Sequence, residues 1–469
     1  EEKEEEGEGV EEDDDEEENA SPTDDSPDTS VIATPGSIPA EEKNAIEDAA
    51  TVKENRVDTT PGNIHDSIDA STASRQDSQS IMKQETGRTS DELESVKFVD
   101  DDDCLTLSVV TWNLAETAPP EKDTSFFRRF RKDSNGPGTE NPDGVGSDLV
   151  LIGAQECEEI KPRRTEGHRS RHIRRMGVTM LGREYVPLAM HSLGGIQCAL
   201  YCHRDALGDV ESIDLADVTC GVGNVFHNKG AIGVYLRMRR AAADGSGTTR
   251  SSRVLLVTGH LAAHVGNADA RDADFRRIAS ELEARAPPGF LRPRRNRDGT
   301  PAERDGSRLL KSADHVFFSG DLNYRIDLPR EHAEKCVIDI QRCDASGEAA
   351  DALMNTLLRR DQLLRTISSG RAFEGFREGR IAFLPTFKFD RGTSDYDTSH
   401  KRRVPAWTDR ILFKSDKVRV LEYGSAEEAR HSDHRPVYGM YRLGWGLTER
   451  TKSKRFARKP RRRSESRRK

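Results

Sequence analysis

Short apolar runs that each end in polar side chains recur between residues 104 and 441 of the 469-residue chain. Their length and their content of β-branched and aromatic residues are typical of buried strands. On this basis we predict strands at 105–110, 149–153, 185–186, 197–201, 230–236, 254–258, 316–318 and 437–441. Many strands with few helices between them predict a layered α/β sandwich and argue against a helical bundle.

Helical periodicity is confined to three places. Phe275, Ile278, Ala279 and Leu282 recur at three- and four-residue intervals, which predicts an amphipathic helix. Further helices are predicted at about 331–342 and around a set of leucines, which are Leu353, Leu357, Leu358, Leu363 and Leu364. Two segments rich in Gly and Arg, 239–253 and 286–305, are interpreted as insertions, the first of them as a hairpin tip.

The net charge of −10 averages two ends of opposite sign. Residues 1–103 start with a run of Glu and Asp and continue rich in Ser, Thr, Asp and Pro. They contain too little apolar surface to offset the entropy of ordering, so we predict an acidic disordered arm. Residues 446–469 are dominated by Lys and Arg and are predicted to be a basic disordered tail, which leaves 104–445 as the folded domain.

Membrane and export signals are missing from the given sequence. No apolar run approaches the ~18 residues that a membrane helix needs, and the first residues do not resemble a secretory signal. The seven cysteines are odd in number and scattered, which is typical of reduced thiols. We therefore expect a cytoplasmic protein, and we expect no covalent cysteine intermediate in its chemistry.

The segment His315–Arg325, HVFFSGDLNYR, carries the most suggestive polar pair. An apolar strand gives way to Gly320, which we expect to turn the chain, and then to Asp321 and Asn323. In extended backbone two such residues point the same way. The carboxylate can take a proton from water or hold a metal, and the amide can orient that water. An ordinary strand that ends in an Asp/Asn turn is the alternative for this segment alone.

Other polar side chains lie at or beside the ends of apolar runs in the same way. They are Asn113, Glu156, His260, Asp321, Asn323, Asp409, Asp433 and His434. Sites collect at strand ends because side chains there leave the core while the backbone stays rigid. Oxygen ligands of this kind suit a hard divalent cation, most plausibly Mg²⁺, and histidines beside carboxylates suit proton transfer and charge stabilisation. The set predicts metal-assisted attack of water on a phosphoryl group.

Eight motifs occur in an order that resembles the inositol polyphosphate 5-phosphatases. They are TWNLAE (111–116), LIGAQE (151–156), FHNKGAIGVYL (226–236), TGHLAAH (258–264), SGDLNYRI (319–326), PTFKFD (385–390), RRVPAWTDRIL (402–412) and HSDHRPV (431–437). That family belongs to the endonuclease/exonuclease/phosphatase superfamily. The resemblance covers about 104–445 and implies two mixed sheets flanked by helices, as in deoxyribonuclease I.

The resemblance also implies roles at the metal and at the attacking water. Glu156 is expected to be the principal Mg²⁺ ligand, assisted by Asn113, with Asp433 near the metal side. Asp321 is expected to orient or deprotonate the water, and Asn323 to hold it against the phosphorus.

The remaining roles concern the phosphate groups. By the same resemblance, His434 is expected to bind the phosphoryl oxygens and stabilise the extra charge of the transition state, and Asp409 to fix its tautomer. His260 is expected to contact the scissile phosphate from the other side. The ring phosphates, chiefly the 4-phosphate, are expected to contact Lys229, Tyr324, Arg325, Lys388, Lys401 and Arg403.

The expected substrates are a phosphoinositide lipid, chiefly phosphatidylinositol 4,5-bisphosphate, or soluble inositol polyphosphates. A nuclease of the same fold and an inactive phosphoinositide-binding scaffold are the alternatives. The NKGA motif and the Tyr-Arg pair after GDLN argue against nucleic acid, and intact Glu156, Asp321 and His434 argue against a scaffold. The basic tail is expected to dock on anionic membranes, with a nuclear-import or nucleic-acid patch as its other interpretation.

Overall fold

The computed structural model describes residues 104–117, 125–132, 146–157, 177–220, 229–242, 247–292, 306–343 and 347–450. The predicted acidic arm and the chain beyond 450 lie outside these residues, as do parts of the 286–305 segment. Within the described part, two β-sheets form the framework.

The first sheet has six strands, in the order β11 (Val418–Ser425), β12 (Val437–Leu443), β1 (Leu105–Asn113), β2 (Leu149–Gln155), β4 (Ile196–His203) and β3 (Tyr185–Leu193). Strands β1 and β2 run parallel, whereas β1 pairs with β12, and β2 with β4, in antiparallel fashion. The sheet is therefore mixed, as predicted. The parallel pair brings the carboxyl ends of β1 and β2 to the same edge, where Asn113 pairs with Gln155.

The second sheet has the order β5 (Val210–Thr219), β6 (Gly230–Ala241), β7 (Thr248–His260), β8 (His315–Asp321), β10 (Asp409–Lys414) and β9 (Arg377–Glu378), and β13 (Leu447–Arg450) pairs with β7. Strands β7 and β8 are parallel, and β8 and β10 are antiparallel. Strand β13 lies beyond the predicted domain boundary at 445, so that boundary is too early. Its backbone completes an edge of the sheet next to Ser251.

The three regions with predicted helical periodicity are helical, although the leucine-rich region forms two helices and the helix at Ser307–Ser312 was not predicted. They are α1 (Ala268–Arg285), α2 (Ser307–Ser312), α3 (Arg330–Arg342), α4 (Glu348–Leu358) and α5 (Gln362–Ser368), with 3-10 helices at Ser125–Phe130 and Arg204–Asp209. Asp361 caps the start of α5 by accepting a hydrogen bond from the Leu364 N–H at 2.9 Å. No helix in the described part of the chain is long and apolar enough to span a membrane.

The principal core lies between the two sheets. Leu107, Leu151 and Leu200 of the first sheet and Leu256 and Phe317 of the second belong to one buried cluster. A second cluster covers the outer face of the first sheet, where the 3-10 helix at Ser125–Phe130 packs. A third joins helix α1 to the outer face of the second sheet. The molecule is therefore the layered sandwich that the strand pattern predicted.

The 239–253 segment is part of a hairpin, as predicted, and β6 and β7 stay paired in it from Arg239 opposite Ser251 to Ala241 opposite Thr249. One local expectation was wrong. Gly320 does not turn the chain but lies inside β8 with φ +148°. A Cβ atom there would lie 2.0 Å from the carbonyl oxygen of Gly259. Glycine is needed because the backbones of two neighbouring strands approach closely.

Candidate active site

The polar strand ends meet around the carboxylate of Asp321 at the end of β8. The amide Nδ2 of Asn113, at the end of β1, donates to Asp321 Oδ2 at 2.9 Å. The Nε2 atom of His260, at the end of β7, lies 3.3 Å from the same oxygen. Strand β10 brings Asp409 directly opposite Asp321 in the ladder. Three strands of the second sheet and one of the first therefore supply one buried cluster.

His434 is oriented by a buried carboxylate. Its Nδ1 lies 2.8 Å from Oδ2 of Asp409, and the Thr408 hydroxyl donates to the same oxygen at 3.0 Å. This contact leaves Nε2 as the ring nitrogen that can face a ligand. Burial by itself lowers the pKa of His434, but the Asp409 carboxylate reverses the effect and raises the pKa to about 9. The imidazole is therefore cationic at neutral pH.

Glu156 and Lys229 lie on the other side of His260. The Nε2 atom of His260 is 3.7 Å from Glu156 Oε1 and also contacts Lys229 Nζ. The Glu156 side chain is 41% exposed, whereas that of Asp321 is only 3% exposed. Burial lowers the pKa of Lys229, and the carboxylates of Asp321 and Glu156 oppose this effect. The opening of the cluster therefore carries a reachable carboxylate beside a cation.

Asn323 and Arg325 extend the cluster along the chain. Asn323 has a left-handed backbone with φ +57°, and its N–H donates to Asp321 Oδ1 at 3.0 Å. The two residues do not share the extended backbone that the sequence suggested, and an Asx-type turn holds them together instead. The Arg325 guanidinium donates to Asn323 Oδ1 at 2.5 Å and stacks over Phe387 at 4.4 Å. Burial lowers its pKa to about 10, so it stays cationic at neutral pH.

The remaining predicted cations have contacts of different kinds. Lys388 Nζ is 3.1 Å from Oδ2 of Asp433, the neighbour of His434. Arg403 is half-buried, and its charge contributes to the lowered pKa of Arg325, so the two lie within electrostatic range. The exposed Lys401 makes only a backbone hydrogen bond to Ser399 among the described contacts. The described contacts of Lys401 therefore do not connect it to the cluster, and its role stays a prediction.

Tyr324 does not line the site. Its side chain is fully buried in the cluster beneath α1, and its hydroxyl donates to Asp272 Oδ1 at 2.6 Å. Its predicted contact with a ring phosphate is therefore wrong in this structure. Tyr324 and Arg325 adjoin in the chain, but the turn at Asn323 sends the first inward and keeps the second beside the cluster.

The donor set fits a hard divalent cation. Asp321, Asp409 and His434 offer ligand atoms that all lie within 4.8 Å of one another. Asp409 Oδ1 is buried without a hydrogen-bond partner in the described part of the chain. Although burial opposes it, the hydrogen bond and charge of His260 hold the pKa of Asp321 well below its usual range. With Glu156 nearby, the site is rich in oxygen ligands of the kind that Mg²⁺ takes.

Asn113 and Asp433 have partners that bear on their predicted metal roles. Both functional groups of Asn113 are engaged, since its Oδ1 accepts from the Ala115 N–H at 2.9 Å while its Nδ2 donates to Asp321. In this structure Asn113 orients Asp321. Asp433 pairs with Lys388, so a cation already lies beside its carboxylate. Their roles as metal ligands stay predictions.

Some functional neighbours were missed by sequence reasoning. The Ser432 hydroxyl accepts from the His434 N–H at 3.2 Å and donates to the Asn113 carbonyl at 2.7 Å, which ties β1 to the histidine. Phe387 lies against the His434 ring, with centroids 4.5 Å apart. Ser432 and Phe387 lie inside the HSDHRPV and PTFKFD motifs, and that membership was the available signal.

The spacing around Cys157 bears on the expectation that the chemistry involves no covalent cysteine intermediate. Cys157 and Arg163 have the Cys-x5-Arg spacing found in cysteine-dependent phosphatases. Arg163 lies outside the described residues, and the Cys157 side chain is fully buried. A buried thiol does not suit nucleophilic attack, so the acid–histidine cluster is the better candidate.

A model of the family described as Endonuclease/Exonuclease/phosphatase family 2 matches residues 110–440, well over half of the chain. The chain belongs to this family. The match reaches every strand except β13, and it leaves out the first residues of β1 and the last residues of β12. It also includes every predicted site residue.

Curated relatives within the family carry related names. Phosphatidylinositol 4,5-bisphosphate 5-phosphatase INP51 of Saccharomyces cerevisiae is 31% identical over 304 residues, which are 63% of this chain and 28% of that protein. Inositol-1,4,5-trisphosphate 5-phosphatase 1 of Schizosaccharomyces pombe is 32% identical over 317 residues, 66% of this chain and 25% of that protein. Human phosphatidylinositol polyphosphate 5-phosphatase type IV is 29% identical over 345 residues, 72% of this chain and 46% of that protein. The chain thus spans less than half the length of these relatives, and the resemblance drawn from the motifs is confirmed.

Solved structures confirm the predicted fold. The inositol polyphosphate 5-phosphatase domain of SpSynaptojanin, in complex with inositol (1,4)-bisphosphate and calcium ion, gives a TM-score of 0.53 at 27% identity, over 72% of this chain and 84% of that one. A Cimex nitrophorin ferrous NO complex gives 0.50 at 19% identity, over 73% and 99%. The second likeness shows the fold alone. Because one fold serves such different proteins, the function has to be inferred from the site residues.

Proposed function

We propose that this chain is a Mg²⁺-dependent phosphatase that removes the 5-phosphate from phosphatidylinositol 4,5-bisphosphate and from related lipid or soluble inositol phosphates. The observation that carries the proposal is the shared position of Asp321, which is hydrogen-bonded by Asn113 and contacted by His260 beside the Asp409–His434 pair. The family membership and the names of the relatives support the same chemistry.

The metal is proposed to bind on the side of Glu156, with Asn113 and Asp433 nearby. When bound there, Mg²⁺ would polarise the phosphoryl group and offset the charge that develops on it. Glu156 is the most exposed carboxylate of the cluster and is therefore the one best placed to meet a hydrated cation. Oxygen donors suit Mg²⁺, Ca²⁺ and Mn²⁺ alike, and Mg²⁺ is proposed because one or two carboxylates together with substrate phosphates usually hold it.

The residues of the chain have distinct proposed tasks in the reaction. Asp321 is ionised and accepts a proton from the attacking water, and Asn323 orients that water. His434 is cationic and donates a hydrogen bond to the phosphoryl oxygens, which gain charge in the transition state. Asp409 holds His434 in the required orientation. His260 contacts the same phosphate from the opposite side.

Substrate recognition is proposed to rest on cations around the cleaved phosphate. Lys229 and Arg325 lie within the cluster, and Lys388, Lys401 and Arg403 are proposed to line its rim. Fixed cations in a partly water-excluded site bind phosphates more strongly than exposed ones. A phosphate next to the cleaved one is proposed to contact Arg325, since the guanidinium is held beside Asn323.

The direct test is phosphate release by the purified chain from vesicles that contain phosphatidylinositol 4,5-bisphosphate. Release should require Mg²⁺, stop on addition of EDTA, and fall by about 100-fold or more in Asp321→Asn. Plasmid and abasic DNA, offered in the same buffer, test the nuclease alternative. Lipid binding without release would support the scaffold alternative, and release that survives both EDTA and the substitution would exclude the proposed mechanism.

The proposed setting is the cytoplasmic face of an anionic membrane, reached through peripheral contact. The Lys- and Arg-rich residues after 450 would supply attraction to anionic lipids. A substrate that is itself an anionic lipid favours this setting over nucleic acid.

A further inference from the structure

The side-chain amide of Gln362, at the start of α5, joins two segments of the candidate active site. Its Oε1 accepts from Arg271 Nη2 at 2.6 Å and from the Arg325 N–H at 3.1 Å. Its Nε2 donates to Asp327 Oδ1 at 2.7 Å and to the Val265 carbonyl at 3.2 Å. All four bonds of the amide are used, which fixes the orientation of its oxygen and nitrogen.

The first segment is the loop that follows His260. Arg271 in α1 is completely buried and donates from Nη1 to the carbonyls of Ala262 at 3.2 Å and His264 at 2.6 Å. Asp274 of the same helix accepts from the Ala262 N–H at 2.9 Å. Helix α1 therefore holds this loop from both sides of its backbone, and Arg271 connects it to Gln362.

The second segment contains Asn323 and Arg325. The backbone N–H of Gln362 donates to the Arg325 carbonyl at 2.9 Å, so Gln362 holds both backbone polar groups of Arg325. The guanidinium of Arg325 in turn donates to the Asn323 carbonyl at 3.1 Å and to its Oδ1. The backbone from which this guanidinium projects is thus held by Gln362, and the guanidinium itself is held by Asn323.

We propose that Gln362 is a positioning residue that acts through Arg325 and sets the preference of the site for a ring with a second phosphate beside the cleaved one. This inference rests on the proposed function. Gln362 is buried and, among the described contacts, makes no bond to Asp321 itself, whose partners are Asn113, His260 and the Asn323 N–H. Loss of the amide therefore reduces selectivity for the second phosphate more than it reduces turnover.

The test compares Gln362→Met with wild type in the full chain. Methionine keeps the length of the side chain and removes all four bonds, and Gln341→Met on the exposed side of α3 is the matched control. Phosphate release is measured from inositol 1,4,5-trisphosphate and from inositol 1,5-bisphosphate. We expect the ratio of their kcat/KM values to fall on the order of tenfold, mainly through KM for the trisphosphate. An unchanged ratio, with or without an equal loss on both substrates, would overturn the inference.

A second variant covers the case in which Gln362→Met does not fold. Gln362→Glu keeps an oxygen near Arg271 and Arg325 but loses the donors to Asp327 Oδ1 and the Val265 carbonyl. It also brings a second carboxylate against these acceptors, so the side chain is expected to shift and to weaken its hold on the Arg325 N–H. We expect a selectivity ratio between those of wild type and Gln362→Met, or, without the methionine variant, a ratio below wild type. A ratio equal to that of wild type overturns the inference.

Calorimetric binding of the same two compounds in EDTA separates this inference from the proposed function. If wild type binds both compounds but releases phosphate from neither, the proposed function fails. The binding ratio then decides the inference, which fails if Gln362→Met leaves that ratio unchanged. If wild type binds neither compound, both proposals fail.

Discussion

At the scale of single residues, the Asp409–His434 pair sets the charge that the site presents to a phosphoryl group. The carboxylate raises the pKa of His434 to about 9, so the imidazolium that the reaction needs is present below that pH and is lost above it. In Asp409→Asn the largest opposition to burial disappears and the pKa of His434 falls, although the charges of Asp433 and Asp321 still raise it.

We therefore expect Asp409→Asn to lower kcat by about 100- to 10,000-fold at pH 7.5 and to move the alkaline limb of the kcat profile to lower pH. Initial rates from pH 5 to pH 10 check this, with Asp395→Asn, an exposed loop carboxylate, as the control. An alkaline limb that stays in place would mean that His434 is not the titrating group.

Tyr324 offers a second test at the same scale. Its hydroxyl is buried against Asp272, so Tyr324→Phe leaves a buried carboxylate with one donor fewer. We expect a loss of about 1–3 kcal/mol in the free energy of unfolding and little change in KM. Denaturant unfolding and steady-state kinetics measure the two effects, and Arg325→Ala, which should raise KM, is the comparison. A large rise in KM with unchanged stability would restore the phosphate-binding role for Tyr324.

At the scale of elements, the contact of β7 with β8 holds His260 next to Asp321. Gly320 and Gly259 face each other in this parallel pair, and a Cβ on Gly320 would lie 2.0 Å from the Gly259 carbonyl oxygen. Because that contact is backbone, the strands have to separate to admit a methyl group.

We expect Gly320→Ala to destabilise the fold by about 3 kcal/mol and to lower activity, since the Asp321 carboxylate moves away from His260. Thermal unfolding and phosphate release measure the two effects. Gly208→Ala is the matched control, because a Cβ there meets nothing within 4 Å. Equal stability of the two variants would show that the strands can part at no cost.

At the scale of the whole molecule, strand β13 directly precedes the basic residues 451–469 in the sequence. Deletion of 451–469 leaves β13 and its pairing with β7 intact, whereas deletion of 446–469 removes that strand. We expect the first deletion to keep the unfolding temperature and weaken binding to anionic vesicles, and the second to lower the unfolding temperature as well.

Vesicle flotation and thermal unfolding check this prediction. A chain in which every Lys and Arg of 451–469 is replaced by Gln separates the effect of charge from that of length. Vesicle binding that survives both the short deletion and the Gln replacement would rule out the proposed docking through the tail.

Much of the candidate site could be predicted because its residues follow buried strands at recognisable positions. Asn113, His260 and Asp321 end β1, β7 and β8, and rigid strands in register carry them to one place. The contacts of Tyr324 could not be predicted the same way. A tyrosine beside an arginine suits both a phosphate site and a core, and only the left-handed turn at Asn323 decides between them.

The sequence by itself determined the strand-rich sandwich, most of the helical segments and the identity of the acid, amide and histidine groups. These features depend on apolar periodicity and on the polar residues that end each apolar run, which are properties of neighbouring residues. Tertiary structure alone decided which atoms meet. Gln362 bonds Arg271 and Val265, which are 91 and 97 residues away in the sequence. Strand β13 pairs with β7, about 200 residues before it in the sequence. Such pairings depend on how whole layers pack, and no local pattern records them.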